Sequence, residues 1–441
     1  METISSILQL AKEAESSDRT EEALSLYQQA IETDGGTEDI YLGLGGLYYK
    51  QKDYESAASA YFNVVQLNPH NLTAHLQLAR LAEIQQRWDD ASATYNYVLS
   101  QDADEYRAYQ GLGEVEFARK QFQQAAEHYR KAIELGSSAP WVRFKLGRIA
   151  QQEDNLQGAL DYFNQAIALN DKNPGFHVAC GDIHLKQQQF DQAEAAYKAA
   201  IAINDQLAGV YVKLGTVAEA KQQWDAAIAS FERAIELNPQ SPGPHQSLGK
   251  IQFQQKNFEA AASSFEKALE LGTPAPWVRL NLGKIAQRKK NYSEALQYFQ
   301  EAISLNDRNP GFHIGCGDLH FEQGQLDEAE ACYQSAQTIK QDLPVIPFKL
   351  GQVAQQRGAL DTAIGYYQTA ISRNPHNPQF HCHIGSALEQ QGNEVSARVS
   401  YEKALEINPN FKPAQAALEN LNNAAPEVAQ PAQSGSRSWW R

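Results

Sequence analysis

The sequence predicts an all-α chain, an α-solenoid of antiparallel helix pairs, and three observations carry that prediction. A small residue, then Ala twelve positions on, then Ala seven further, recurs as Gly147, Ala159, Ala166; Gly215, Ala227, Ala234; Gly249, Ala261, Ala268; Gly283, Ala295, Ala302; and Gly351, Ala363, Ala370, always at a multiple of thirty-four positions. The apolar period is helical and does not alternate, so no strand is expected. Proline punctuates the chain at the same step.

Walking the step in both directions gives twelve units without insertion: 4-37, 38-71, 72-105, 106-139, 140-173, 174-207, 208-241, 242-275, 276-309, 310-343, 344-377 and 378-411. The small residues let two antiparallel helices, and the next hairpin, approach closely. Bulkier residues such as Leu146, Tyr162 and Phe163 fill the gaps. An aromatic follows the first Ala by four residues in nearly every unit, from Tyr61 and Tyr95 through Phe163 and Phe299 to Tyr401. Asn68-Pro69, Asn238-Pro239, Asn374-Pro375 and Asn408-Pro409 end second helices, because a residue before Pro is pushed out of the helical region. Pro140, Pro174, Pro276, Pro310 and Pro344 open the units that follow, where a missing N–H costs nothing. One hairpin cannot bury its own apolar face, so stacking supplies the stability and the last unit needs a polar cap. Residues 412-423, with one apolar stripe of Ala417, Leu418 and Leu421, are expected to be that capping helix. Residues 424-441, rich in Ala, Pro, Gln, Ser and Gly, are expected to be a flexible tail.

A longer period lies above the first. Ala139–Ala200 resembles Ala275–Ala336: APWVR recurs at 139 and 275, and NPGFHVACGDIHL at 173 returns as NPGFHIGCGDLHF at 309. Trp88 and Trp224 share the same offset of 136, which is four units. A duplicated four-hairpin block implies that similar surface features recur at regular separations.

These residues resemble the tetratricopeptide repeat family, whose pattern is Trp-x-x-Leu-Gly-x-x-Tyr, then Ala, Phe or Tyr, Ala and Pro. The segment 210-239, VYVKLGTVAEAKQQWDAAIASFERAIELNP, is a close match, and the resemblance extends over about 4-411. It implies a right-handed superhelix with a concave groove lined by the first helices. Stacked at ~10 Å per helix layer, the body would be elongated, on the order of 100 Å. Two departures stand out. The usual Gly between the two helices is present only as Gly324, Gly358 and Gly392, with Lys or Gln mostly in its place elsewhere, and Glu394 stands where an aromatic normally sits, which predicts a looser last hairpin.

Composition limits the function. A net charge of -15 over 441 residues repels phosphate backbones, so nucleic acid is not expected as a general partner. No run approaches ~18 apolar residues, so no membrane span is expected. Acidic residues interrupt every candidate apolar core near the N-terminus, which argues against a signal peptide or anchor helix. The four cysteines, Cys180, Cys316, Cys332 and Cys382, form no close-spaced pair and read as buried thiols of a reducing compartment, so a cytoplasmic protein is expected. Catalytic signatures of nucleotide, serine-hydrolase and zinc-protease type are missing, and glycines occur singly rather than as a phosphate cradle. No cofactor is expected.

One constellation has metal-like spacing: His177, Cys180 and His184, repeated as His313, Cys316 and His320. On a helix the three side chains fall within about 60° of one another, and zinc accepts such ligands. They also coincide with core positions of the family pattern, and His75, His245 and His381 take the same place without a Cys three positions on. The reading adopted is structural core, with no bound zinc.

The resemblance implies that positions 2, 5, 9, 12 and 13 of each unit face the groove. The candidate partner-binding residues are then Phe117, Trp141, Phe144, Arg148, Phe253, Trp277, Lys284, Arg288, Phe321 and Phe348. Trp141 and Trp277 stand two residues before the family's Trp position, where this chain has Arg143 and Arg279, a displacement of ~200° around the helix. Each is a peptide anchor, with Arg148 or Lys284 seven residues on, or a wedge against the preceding hairpin. Two known specificities do not fit: no unit has the Lys and Asn of a carboxylate clamp, and a single Asn281 makes no asparagine ladder. The expected function is a scaffold that binds peptide or protein segments in the groove, not an enzyme. The alternative is the targeting or regulatory region of a glycosyl-, methyl- or sulfotransferase whose catalytic module is absent or on another chain. Ser438-Trp439-Trp440-Arg441 would then begin a following domain. Self-association is left open.

Overall fold

The computed structural model describes residues 4–424. The chain divides into two compact units, Met1–Ser230 and Phe231–Arg441. The first holds α1 (Ile4–Ser16), α2 (Thr20–Asp34), α3 (Glu38–Lys50), α4 (Tyr54–Leu67), α5 (Leu72–Ile84), α6 (Trp88–Gln101) and α7 (Tyr106–Ala118). It continues with α8 (Phe122–Glu134), α9 (Pro140–Gln152), α10 (Leu156–Leu169), α11 (Pro174–Lys186), α12 (Phe190–Ile203), α13 (Ala208–Ala220) and the start of α14 (Trp224–Leu237). The second holds the rest of α14, then α15 (Pro242–Gln254), α16 (Phe258–Glu270), α17 (Pro276–Arg288), α18 (Tyr292–Leu305) and α19 (Pro310–Glu322). It ends with α20 (Leu326–Ile339), α21 (Val345–Gln356), α22 (Leu360–Arg373), α23 (Pro378–Gln390), α24 (Glu394–Ile407) and α25 (Lys412–Ala424). No strand occurs among the described residues, and the architecture is an α-solenoid. From 425 onward the expected tail, including Trp439 and Trp440, lies outside the described residues.

Inside each unit a helix packs on its partner across a short turn, and the second helix of a pair packs on the first helix of the next, as α9 on α10 and α10 on α11. The small residues do what their spacing requires. Ala159 and Ala166 are fully buried, and a Cβ added to Gly147 would lie 2.4 Å from the Phe163 ring. Helix starts are fixed by Pro140, Pro174, Pro276 and Pro310 at the first positions, and by Asn173 and Asn309, whose side chains each accept a backbone N–H at 2.9 Å. Pro344 precedes its helix, which begins at Val345. The last pair is closed like the others despite Glu394: Asn393 caps Ser396, and Ala397, Tyr401 and Ala404 are buried.

The turns carry a cost. The residue that links the two helices takes a left-handed backbone from Asp18, through Lys52, Gln188 (φ 59) and Lys290, to Gly392. For an L-residue this conformation costs about 1–2 kcal/mol, partly offset because Gly loses more backbone freedom on folding. Gln188→Gly is therefore expected to raise stability by about 0.5–1 kcal/mol, and Gly324→Gln to lower it similarly, both read from thermal melts.

Candidate functional site

Three cavities collect most of the expected groove residues. In the first unit, α5, α7 and α9 line one of about 400 Å³ with Leu76, Arg80, Glu83, Arg107, Glu114 and Trp141. Trp141 is 37% exposed at this cavity, while its ring edge meets Tyr129 with centroids 6.1 Å apart. It is thus partly exposed and partly packed against the preceding hairpin. Its charged neighbours are largely engaged. Arg107 pairs with Glu105 at 2.6 Å, and Glu114 takes the Tyr129 hydroxyl and Lys145 (3.2 Å). Glu83 differs, because its Oε1 is buried without a partner. Burial pushes its carboxyl up to about 7, with the Glu114 charge adding to the rise and the Tyr95 hydrogen bond and the Arg80 charge opposing it.

That shift has a sign. A carboxyl whose folded value lies above its unfolded value of 4.5 withdraws stability as pH rises through the interval from 4.5 to about 7, and the loss is constant above it. Glu83→Gln should therefore raise stability by about 2–3 kcal/mol at pH 8 and change it little at pH 4.5. Paired melts across that range check it.

The second cavity, of about 580 Å³, is lined by Phe117, Lys120, Phe122, Arg148, Gln151 and Gln152. Phe117 meets Phe122 edge-on at 5.5 Å and carries the Lys145 ammonium 4.2 Å over its ring. Trp141 and Arg148, expected as one cluster, therefore line different cavities: seven residues is about 10 Å of helix. The third cavity, of about 470 Å³, lies in the second unit and is lined by Phe253, Lys284, Gln287, Arg288, Lys290 and Glu322. It repeats the second at the four-unit offset, Phe253 for Phe117 and Lys284 for Arg148. Phe253 again meets an aromatic, Phe258, at 5.5 Å, and Arg288 stacks over Phe258 at 4.6 Å. Trp277 is half-buried, edge-on to Phe265 at 5.7 Å.

Phe348 is placed elsewhere than expected. It is 4% exposed, enclosed by Phe380 (4.9 Å), His383 (4.9 Å) and Tyr367 (5.8 Å), so a ligand does not reach it. Phe144 is half-buried between Phe163 of its own hairpin (5.4 Å) and Phe176 of the next (5.2 Å). Phe321 is half-buried against the α20–α21 core. Sequence position along one helix does not show what the following hairpin lays over it.

The histidine–cysteine constellations are regrouped as well. His177 and His313 turn away to backbone oxygens of Asp171 and Asp307, each at 3.2 Å. His184 and His320 place Nδ1 against Gln189 (2.7 Å) and Gln325 (2.6 Å). In the first block Cys180 is left with Asn164 at 3.8 Å. In the second, Cys316 and His320 meet Cys332, a residue outside the expected set, with all three ligand atoms within 4.8 Å of one another. Comparing the two blocks at the four-unit offset could have found it, since Cys332 stands where the first block has Ala196.

Profiles described as tetratricopeptide repeat match residues 49–113, 150–214 and 286–344, a second set 8–71, 212–276 and 348–410, and a third 106–135. A comparison with the curated proteins returns no match. Among solved structures, the chain is similar to one in the APC/C hetero-tetramer Cut9-Hcn1, at 12% identity and TM-score 0.48, over 96% of each chain. It is also similar to Pseudomonas aeruginosa pilF, at 16% identity and TM-score 0.42, over 49% of this chain and 98% of that one. A third is YrrB, described as a TPR protein with an unusual peptide-binding site, at 20% identity and TM-score 0.31, over 51% of this chain and 98% of that one. No helix among the described residues is long and apolar enough to cross a membrane. With the tetratricopeptide repeat profiles together matching most of its length, the chain belongs to the tetratricopeptide repeat family.

Proposed function

We propose that the chain is a protein-interaction scaffold whose first helices bind acidic, aromatic-bearing peptide segments. One observation carries the reading: a cavity with a phenylalanine wall and a cationic rim occurs at the same register in both units, in a chain of net charge -15. Cations concentrated there, with Arg148 and Lys284 exposed, favour carboxylates electrostatically, while the Phe117 and Phe253 edges supply apolar contact. Trp141 adds an exposed aromatic face of the kind that dominates binding hot spots.

The test uses the full chain as bait for a displayed library of random peptides. Enrichment of sequences rich in Asp, Glu and aromatics is expected, and enrichment of basic sequences, or none, contradicts the proposal. Against an enriched peptide, Trp141→Ala should cost about 2 kcal/mol of binding. Because Trp141 also packs on Tyr129, its melting point is measured alongside. A variant that loses stability and keeps affinity marks Trp141 as a wedge only.

A further inference from the structure

We propose that Cys316, His320 and Cys332 form a binding site for a single Zn²⁺ ion, independent of the groove. Cys316 and His320 lie one turn apart on α19, which puts both on one face. Helix α20 returns antiparallel and delivers Cys332 across the pair. The same pairing of α19 with α20 that lays Gly317 against the Tyr333 ring also lays Cys316 against Cys332.

The donor set and its spacing suit the ion. Two sulfurs and one imidazole nitrogen lie within 4.8 Å of one another. Tetrahedral zinc with bonds of about 2.0–2.3 Å holds its ligand atoms ~3.5–3.8 Å apart, so rotamer adjustments close the remainder. The His320 Nδ1 faces the Gln325 amide oxygen at 2.6 Å, which holds the proton on that nitrogen and leaves Nε2 with a free lone pair. Cys316 is 5% exposed against Ala286, Ala295 and Phe299, while His320 and Cys332 are half-buried, so the site has a dry wall and an open side for entry. Cys316 and Cys332 supply the two thiols of the set. Loading ionises them fully, releasing their protons to solvent and leaving a fourth position for water.

The first block is an internal control. It keeps Cys180, His184 and the His184–Gln189 contact, so that histidine–glutamine pair is a helix-end feature of both blocks. What the second block adds is the other thiol, Cys332 in place of Ala196. Two ligands in the first block bind weakly, and three in the second make a site.

The test uses the full chain, reduced and chelator-treated, in competition with a chromogenic chelator for Zn²⁺, with Co²⁺ as an optical reporter. One Zn²⁺ per chain and a thiolate-to-cobalt charge-transfer band are expected. Cys332→Ala, which recreates the first block's residue and should fold, is expected to weaken Zn²⁺ binding by more than about a hundredfold, beyond the loss of an outer-shell partner. His320→Gln should weaken it too, and Cys180→Ala should leave it unchanged. Circular dichroism confirms that each variant is folded. Wild type that competes no better than Cys332→Ala overturns the proposal, as does equal loss in Cys180→Ala. If the reduced chain takes no Zn²⁺ while oxidation joins Cys316 to Cys332 in a disulfide, the pair is redox-active and the metal site is refuted.

Discussion

Gly147→Val is expected to destabilise the hairpin of α9 and α10 by about 3 kcal/mol or more. The Cβ alone would stand 2.4 Å from Cε1 and 2.5 Å from Cδ1 of Phe163. That ring is fully buried among Ala179, Cys180 and Ile183 of the next hairpin, so it cannot retreat without displacing them. Ala at this site would gain up to about 1 kcal/mol in helix propensity, and β-branched Val gains less while adding two methyls to the clash. Gly365, on α22 with nothing within 4 Å of its added Cβ, is the control: Gly365→Ala should stabilise by up to about 1 kcal/mol. Contacts run only between neighbours, so denaturant unfolding of Gly147→Val should split into phases rather than shift as one. A single unshifted transition would mean that the interface relaxes freely.

Reversing the cations of the two equivalent cavities should have the largest effect on binding. Arg148→Glu and Lys284→Glu each turn an attraction for a carboxylate into a repulsion, about 1–2 kcal/mol apiece for exposed charges at low salt. The double variant should bind an acidic peptide at least about tenfold more weakly than wild type, and the gap should narrow as salt rises. Lys131→Glu with Lys267→Glu, both on second helices of their pairs, is the control matched in charge. Equal weakening by that control would reduce the effect to net charge alone.

The fold is legible in the sequence because its constraints are local and repeated. Gly147 must face Phe163 on the second helix of its own pair, and Gly283 must face Phe299 in the same way, so register can be read from small and large residues without coordinates. The candidate site is legible only in part. Phe117, Arg148, Phe253, Lys284 and Arg288 line cavities, as their position in the repeat implies. Phe348 and Phe144 occupy the same kind of position, yet each meets an aromatic on the first helix of the next pair, Phe380 and Phe176. That pairing belongs to two hairpins at once and is invisible to a position-by-position reading. Cys332 escapes such a reading for the same reason: its partners are close in space and lie on another helix.

The packing of each helix on the one just made has a consequence for synthesis. Among the described helices, the main packing contacts run within a hairpin or between adjoining hairpins, so little of the chain must wait for a distant segment. At about 5–20 residues per second, a ribosome releases one repeat unit every few seconds, while a helical hairpin closes in far less than a millisecond. Each new pair can therefore settle on a finished neighbour before the next emerges. A nascent chain stalled midway would already hold its earlier cavities in order, with only its last apolar face open for a chaperone to shield.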